Sequence, residues 1–289
     1  MRSGLRALVE LIRAPAALSV PGDVVAGASA AGVLDRRTAG LAGASVCLYW
    51  AGMAANDWAD RELDAVERPE RPIPSGRVPA GVAFGVAAGL TAAGVALAGR
   101  SGGARALTVA VPLAATIWAY DLRAKNTAAG PVVMAACRAL DVLLGASTGR
   151  AVRAVPPALA VAVHTYTVTA LSRREVSGGT PGLPAATLAT TAALAGAVAA
   201  GPGRPVGGAG AAVVGALAAG YAVRYGRAQS RVLTDPRAPR VRAAVGAGIT
   251  ALPALQGALA ARAGATWAGL AVAAAAPAGR FLARRVSPT

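Results

Sequence analysis

Long apolar runs follow one another along the chain, and they constrain its fold more than any other feature. A run of about 17 to 22 apolar residues is long enough to cross the ~30 Å hydrocarbon core of a bilayer as an α-helix. Lipid offers the backbone no hydrogen-bond partners, so such runs are expected to be helical. The sequence therefore predicts an all-α, polytopic membrane protein. Ten runs qualify, at 14–34, 38–56, 79–99, 103–119, 128–149, 155–171, 184–201, 207–224, 241–261 and 264–283.

The composition agrees with membrane insertion and excludes other classes of protein. Hydrophobic residues make up 55% of the 289 residues and charged residues 15%, with a mean hydropathy of +0.52, whereas soluble domains carry about 25% charged residues. A net charge of +16 would suit nucleic-acid binding, but aromatic residues are only 4% and the arginines are scattered in short loops, so no nucleic-acid partner is expected. Cys47 and Cys137 lie in apolar runs, which argues against a disulfide framework or a thiolate metal site.

The distribution of lysine and arginine predicts the orientation in the membrane. If the ten runs alternate in direction, twenty of the 29 basic residues fall on the side of the N-terminus and eight on the other, with Arg138 inside a run. Cytoplasmic loops carry the excess of basic residues, so we expect a multi-pass cell-membrane protein with both termini in the cytoplasm. The arginine-rich stretch 224–242, interpreted as a loop, would lie near anionic membrane lipid. The first run is interrupted by Pro15, Pro21 and Asp23, and we expect it to be a retained span and not a removable signal peptide.

An acidic segment, 56–78, separates the second and third runs. It contains six of the thirteen acidic residues. If the preceding helix continues through Asp64, then Asp57, Asp60 and Asp64 lie within about 60° of one another on one face. Three unpaired carboxylates would resist ionisation, so a counter-charge is needed, and Mg²⁺ held together with substrate phosphate oxygens would supply it.

A second interpretation of this segment is a solvated loop whose acids form ion pairs. The basic residues available to it are Arg61, Arg68, Arg71 and Arg77. Two features favour the metal site: the carboxylates begin at the membrane end of an apolar helix, and the segment ends in a proline-rich turn, residues 71–77.

The acidic segment resembles the first motif of the UbiA superfamily of intramembrane aromatic prenyltransferases, N-D-x-x-D-x-x-x-D followed by R-P-[IL]-x-S-G. Glu67 stands where many members have Asn. Members commonly have nine helices around a central cavity, so the resemblance implies a single domain over residues 1–289 with nine or ten transmembrane helices. The motif is met at nine positions, by Asn56, Asp57, Asp60, Asp64, Arg71, Pro72, Ile73, Ser75 and Gly76.

A second informative stretch, 120–145, ends the fourth run and enters the fifth. Arg138 and Asp141 lie one helical turn apart inside the fifth run, where ionisable residues usually face a polar cavity. Lys125 and Arg138 would supply the positive charge that a diphosphate needs, although an ion pair between Arg138 and Asp141 is an alternative. The stretch is similar to a second family pattern, Tyr…Lys…Gly followed by R-x-x-[ND]-x-x-x-G.

The third stretch, at the end of the sixth run, departs from the family. Members have a second acidic motif there, D-x-x-x-D, whereas residues 172–176 offer one carboxylate, Glu175. Glu175 would serve one Mg²⁺, and Arg173 or Arg174 would neutralise part of the diphosphate. This Ser-Arg-x-Glu form resembles a divergent EboC-like branch of the superfamily. His164, deeper in the same run, is expected to be a neutral core histidine hydrogen-bonded between helices.

The resemblance implies an enzyme, a prenyltransferase of the class that transfers alkyl or aryl groups other than methyl. It would transfer an isoprenyl group from a polyprenyl diphosphate to an aromatic or other lipophilic acceptor, with its active site facing the cytoplasm. Asp57, Asp60, Lys125 and Arg138 would be catalytic. Mg²⁺ would bind Asn56, Asp57, Asp60, Asp64 and Glu175, and the substrate diphosphate would contact Arg71, Lys125, Arg138, Arg173 and Arg174. The missing second motif leaves an alternative, a non-catalytic membrane protein for transport or assembly.

Overall fold

The computed structural model describes residues 2–176, 178, 182–201 and 207–275, and every regular element within them is a helix. The predicted all-α fold is therefore confirmed. Short 3₁₀ turns at Ala14–Ser19 and Ala151–Ala154 and a π turn at Tyr120–Ala124 join some of the helices. The α-helices are α1 Arg2–Leu11, α2 Pro21–Ala31, α3 Arg36–Ala59, α4 Arg61–Glu67, α5 Ala80–Ala119, α6 Gly130–Ala146, α7 Val155–Ser172, α8 Gly182–Ala200, α9 Gly208–Thr234, α10 Ala238–Arg262 and α11 Thr266–Ala275.

Five helices of the described chain are long and apolar enough to cross a membrane. One of them, Ala80–Ala124, contains 45 residues, about twice what one crossing needs. It contains nearly all of two predicted runs, 79–99 and 103–119, and the backbone breaks at Gly103, the first residue of the second (φ 65°, ψ −156°), a conformation that glycine adopts without steric cost. The number of crossings, nine or ten, stays a prediction, because the tenth run extends past residue 275. The five spans are Arg36–Ala59, Ala80–Ala124, Ala151–Ser172, Gly182–Ala200 and Ala238–Arg262.

The prediction of a loop from Arg224 to Arg242 is wrong. Helix α9 continues to Thr234 and α10 begins at Ala238, so that only residues 235–237 connect them. Hydropathy falls at the arginines, but arginine is a good helix former. Tyr225, Gln229 and Val232 keep the inner face of α9 buried through this part, so packing extends the helix past the apolar run.

The helices meet at two ends of the bundle. The end of α3, the start of α5, the π turn and the start of α6 come together at one end, which we call the acidic end (residues 56–78 and 120–130). The opposite end is formed where α2, α6, α8 and α10 finish and α7 begins.

Helices α2 and α6 approach each other closely at two glycines. A Cβ atom on Gly27 would overlap the carbonyl oxygen of Val142, and a Cβ atom on Gly145 would overlap the carbonyl oxygen of Val24. Small residues allow this close backbone approach between membrane helices. The contact holds α2, and therefore Asp23, against the inner face of α6.

We expect Gly27→Ala to lower the free energy of unfolding by about 1–3 kcal/mol. The new methyl group would overlap the backbone of Val142, and neither helix can move away without repacking its neighbours. Gly215→Ala is the matched control, because a Cβ atom there meets nothing within 4 Å; alanine in a helix interior is neutral or stabilising. The measurement is the midpoint of thermal unfolding of each variant in detergent. Equal midpoints for Gly27→Ala and the wild type would show that α2 and α6 are not held at this crossing.

Candidate active site

The acidic segment is not one continuous helix. α3 ends at Ala59, Asp60 has φ −90° and ψ 3°, and α4 begins at Arg61. The helix therefore does not continue through Asp64, which was the condition for placing the three aspartates on one helical face. The chain bends at Asp60, and the three aspartates point to two different groups of partners.

Asp57 and Asp64 meet at one arginine. Nη1 of Arg71 lies 3.2 Å from Oδ1 of Asp57 and 2.6 Å from Oδ2 of Asp64. Nη2 of Arg13 lies 2.9 Å from Oδ1 of Asp57, and Nη1 of Arg68 lies 3.5 Å from Oδ1 of Asp64. The ion pairs expected from the solvated-loop interpretation are thus present for Arg61 with Glu62 and for Arg68 and Arg71, but not for Arg77, which pairs with Glu10 outside the segment. The carboxylates of Asp57 and Asp64 are nevertheless buried, with side chains 6% and 2% exposed.

The proline-rich turn after α4 holds Arg71 in place. Ser75 Oγ donates a hydrogen bond of 2.6 Å to the carbonyl oxygen of Arg71. The turn closes at Gly76, whose φ of 73° is in the left-handed region that glycine tolerates. Arg77 then binds both carboxylate oxygens of Glu10, at 2.6 and 3.0 Å, which ties the turn to α1.

Asp60 and Asn56 contact the π turn that follows α5. Nζ of Lys125 lies 2.7 Å from Oδ1 of Asp60, and Nδ2 of Asn56 donates to Oδ1 of Asp121 over 3.1 Å. π turns are frequent at functional sites because they redirect side chains at a helix end. Here the turn brings Lys125 and Asp121 to the acidic segment.

A cavity of about 280 Å³ extends from this point into the bundle. Its polar lining includes the predicted residues Asn56 and Arg138, together with Arg13, Ser45, Asp121 and Asp141. The rest is largely apolar. The apolar and aromatic lining residues are Val20, Leu48, Tyr49, Met53, Leu113, Ile117, Tyr120, Met134 and Cys137.

Arg138 does not pair with Asp141, so that alternative is wrong. Its Nη2 lies 2.8 Å from Oδ2 of Asp23, which is fully buried on α2. Asp141 instead accepts a 2.7 Å hydrogen bond from Ser45 Oγ. The close α2–α6 crossing explains the pairing, because it places Asp23 beside α6.

The third predicted stretch lies partly at the site. Arg173 donates to the carbonyl oxygen of Thr127, two residues after Lys125, while Arg174 is exposed. Glu175 lies beside Arg242 of α10, whose Nη1 donates to the carbonyl oxygen of Glu175 over 3.0 Å. Burial raises the pKa of Glu175 and Arg242 opposes the rise. Among the described residues, no hydrogen bond or ion pair joins Glu175 to the acidic segment.

His164 is confirmed as a buried, hydrogen-bonded histidine. It is 2% exposed, and its Nδ1 lies 3.0 Å from the hydroxyl oxygen of Tyr221 on α9. It packs between helices, and it does not line the cavity of the acidic end.

Sequence reasoning missed three charged residues of the site: Arg13, Asp23 and Asp121. Asp121 follows Tyr120 in the stretch 120–145, which resembles a family pattern, so its place in that stretch could have predicted it as a site residue. Arg13 carries no sequence signal, but within the described chain it is the single non-glycine residue with a positive φ, 47°. Such strain is tolerated where the surroundings hold the residue in place, here by the ion pair with Asp57.

The donor chemistry of the site fits a magnesium ion shared with a substrate. In the described chain no three acidic, histidine or cysteine side chains converge on one point, so a closed protein cage is not formed. Mg²⁺ usually binds one or two carboxylates and completes its octahedron with waters and phosphate oxygens. Asp57 and Asp64, which share Arg71, and Asp60 beside Asn56 offer such oxygen ligands.

A family model described as the UbiA prenyltransferase family matches residues 18–238. Several relatives are named digeranylgeranylglyceryl phosphate synthase, among them the following two. The chain is 38% identical to that of Methanopyrus kandleri over 154 residues, 50% of this chain and 54% of the relative. It is 42% identical to that of Ignicoccus hospitalis over 90 residues, 31% of this chain and 30% of the relative. The chain therefore spans about half or less of these relatives.

Two solved structures have a similar fold. A structure of digeranylgeranylglyceryl phosphate synthase in membranes superposes with a TM-score of 0.66 at 16% identity, covering 91% of this chain and 99% of that one. The apo structure of a UbiA homolog from Aeropyrum pernix K1 superposes with a TM-score of 0.64 at 20% identity, covering 89% and 97%. These similarities concern the fold, and the family match covers most of the sequence; the chain belongs to the UbiA prenyltransferase family.

Proposed function

We propose that this protein transfers an isoprenyl group from a polyprenyl diphosphate to a lipophilic acceptor in the membrane. One observation supports this most: buried carboxylates and cationic side chains meet at the mouth of a mainly apolar cavity. The polar mouth suits a diphosphate and the cavity suits an isoprenyl chain. The relatives named digeranylgeranylglyceryl phosphate synthase and bacteriochlorophyll synthase support the same class of reaction.

In this proposal the diphosphate is held by cations from four parts of the chain. Arg71 and Lys125 lie among the aspartates, and Arg13 and Arg138 line the cavity. Arginine offers a planar pair of donors to a phosphate and lysine a point charge. Arg173, at the nearby loop, would add a further positive charge at the mouth.

The negative charge that develops on the leaving diphosphate must be stabilised for the carbon–oxygen bond to break. Lys125 and Arg138 are already fixed by ion pairs with Asp60 and Asp23, so they need little rearrangement to do this. Mg²⁺, when held by the oxygen ligands of Asp57 and Asp64 or by those of Asn56 and Asp60, would act as a Lewis acid on the same oxygens.

The cavity would protect the resulting allylic carbocation from water. Leu48, Leu113 and Ile117 contribute apolar surface, and Tyr49 and Tyr120 contribute aromatic rings. Water would otherwise capture the cation, so a dry cavity favours attack by the acceptor. We propose that the acceptor enters from the membrane, in keeping with a lipophilic compound.

A comparison of lipid extracts from a deletion strain and its parent would identify the acceptor. We expect one lipid to disappear on deletion and a species lighter by the mass of the isoprenyl group to accumulate, with both changes reversed by the wild-type gene. Identical extracts under conditions in which the protein is made would contradict a transferase function.

Glu175 provides a separate test of metal binding. Because residues 172–176 supply one carboxylate, we expect a single, low-affinity dependence of the rate on Mg²⁺. Glu175→Gln keeps the shape but loses the charge, so it should raise the Mg²⁺ concentration for half-maximal rate by roughly tenfold. The measurement is a titration of the rate with Mg²⁺.

Asp235→Asn is the matched control for that titration. Asp235 lies in the loop between α9 and α10 and pairs with Arg237, which holds the pKa of Asp235 below its usual range. Loss of the Asp235 carboxylate should leave the Mg²⁺ concentration for half-maximal rate unchanged. If Glu175→Gln also leaves it unchanged, Glu175 is not a metal ligand.

A further inference from the structure

A large cleft opens at the end of the bundle opposite the acidic end. Its volume is about 1300 Å³, several times that of the cavity at the acidic end. It is bounded by the end of α2, the start of α7, the last part of α8 and the end of α10. The proposed reaction uses none of these residues.

The rim of the cleft is strongly basic. Arg105, Arg150, Arg153 and Arg262 line it, and none of the acidic residues that the structure describes does. Arg262 donates over 3.1 Å to the carbonyl oxygen of Ala199 on α8. Within the described chain, the side chains of the other three arginines make no ion pair. Four like charges around one opening repel one another, and an anion would relieve this repulsion.

The wall below the rim is apolar. Leu159 and Val163, one turn apart on α7, line it and are 58% and 39% exposed. Leu194 and Val198, one turn apart on α8, also line it. The cleft thus has a cationic rim and a hydrocarbon wall, which matches a molecule with an anionic head and an apolar chain.

The cluster stands out against the charge distribution of the whole chain. The predicted topology assigns only eight basic residues to this side of the membrane, and four of them line the cleft. The positive-inside rule alone would leave this side poor in cations. Their concentration at one opening between helices gives an anionic head group several cations to contact at once.

We propose that this cleft binds an anionic lipid with a phosphate head group. Arg105, Arg150 and Arg153 contact the phosphate through charge-assisted hydrogen bonds, and the lipid chain lies between α7 and α8. Two sources share this chemistry, an anionic phospholipid of the bilayer and an isoprenoid phosphate. The site is independent of the proposed transfer reaction.

Native mass spectrometry of the full chain in detergent tests the proposal. The probes are dioleoyl phosphatidylglycerol, geranylgeranyl monophosphate, dioleoyl phosphatidylcholine and inorganic phosphate. We expect the wild type to retain one of the two anionic lipids, and Arg150→Gln/Arg153→Gln to bind it about tenfold or more weakly. The anionic lipid that is retained at the lower concentration identifies the source.

Two further variants keep the result interpretable. Arg36→Gln/Arg37→Gln removes two exposed arginines of the same side that do not line the cleft, and it should bind as the wild type does. Ala197→Phe fills the apolar wall and leaves all four arginines, and it should also lose the lipid. Unfolding midpoints near that of the wild type would show that the variants fold.

Three results would overturn the proposal. The first is equal retention by the wild type and Arg150→Gln/Arg153→Gln, and the second is an equal loss in Arg36→Gln/Arg37→Gln. The third is retention of phosphatidylcholine or inorganic phosphate as strong as that of both anionic lipids, because the cleft would then recognise only one half of the molecule.

Discussion

Replacing Asp60 with alanine is expected to lower the rate of isoprenyl transfer by about 10²–10³-fold or more. The change removes an oxygen ligand for the metal and frees Lys125, whose Nζ lies 2.7 Å from Oδ1 of Asp60. Loss of a single preorganised electrostatic group at a reacting centre has an effect of this size. The measurement is diphosphate release by the purified variant, normalised to the amount of folded protein.

Glu62→Ala is the matched control for Asp60→Ala. Glu62 lies two residues away, its side chain is 87% exposed, and it pairs only with Arg61. Its removal should leave both the rate and the amount of inserted protein unchanged. If Asp60→Ala instead prevents membrane insertion while Glu62→Ala does not, Asp60 has a structural role and the active-site assignment fails.

The largest expected effect on stability is at Asp23. Asp23 is fully buried and binds Arg138 at 2.8 Å and Gln256 Nε2 at 2.6 Å. Asp23→Ala leaves the largely buried guanidinium of Arg138 without its anion. Removing one partner of a buried ion pair costs about 3–5 kcal/mol. We expect the free energy of unfolding of Asp23→Ala, measured in detergent, to fall by that amount.

A double-mutant cycle separates the ion pair from packing. Asp23→Leu/Arg138→Met replaces both charges with apolar groups and should be far less destabilised than Asp23→Ala, because no buried charge is left unpaired. It should also be inactive, since Arg138 lines the cavity. If the double variant is as unstable as the sum of the single variants Asp23→Leu and Arg138→Met, the pair is not coupled and Asp23 does not position Arg138.

Much of the fold followed from the spacing of apolar residues. Most of the predicted runs lie on helices in the described chain, but the first, 14–34, is divided between the 3₁₀ turn Ala14–Ser19 and the 11-residue helix α2, which is too short to cross a bilayer by itself. The helices of the third and fourth runs part at Gly103, because glycine tolerates the backbone conformation there. The prediction failed at the ends of runs, where hydropathy drops but the helix continues. The end of α9 shows this: its arginines lower the hydropathy, yet Tyr225 and Gln229 remain buried on its inner face.

The candidate site was predictable where one motif contains its residues. The first motif contains four of them, Asn56, Asp57, Asp60 and Asp64. The bend at Asp60 could not be predicted, because the local sequence contains no residue that breaks a helix. Partners distant in sequence were harder. Arg13 is 44 residues from Asp57, and Asp23 reaches Arg138 only because Gly27 and Gly145 bring α2 and α6 together.

The central claim, that this chain is a prenyltransferase and not a non-catalytic relative, is tested most directly by diphosphate release. Purified wild-type protein in detergent is given geranylgeranyl diphosphate and a lipid extract from the deletion strain, with Mg²⁺ or with a chelator. We predict release that needs Mg²⁺ and matches the acceptor consumed, mole for mole. No release above that of Asp60→Ala, from folded protein with Mg²⁺ and extract present, would contradict the account and favour a transport or assembly role.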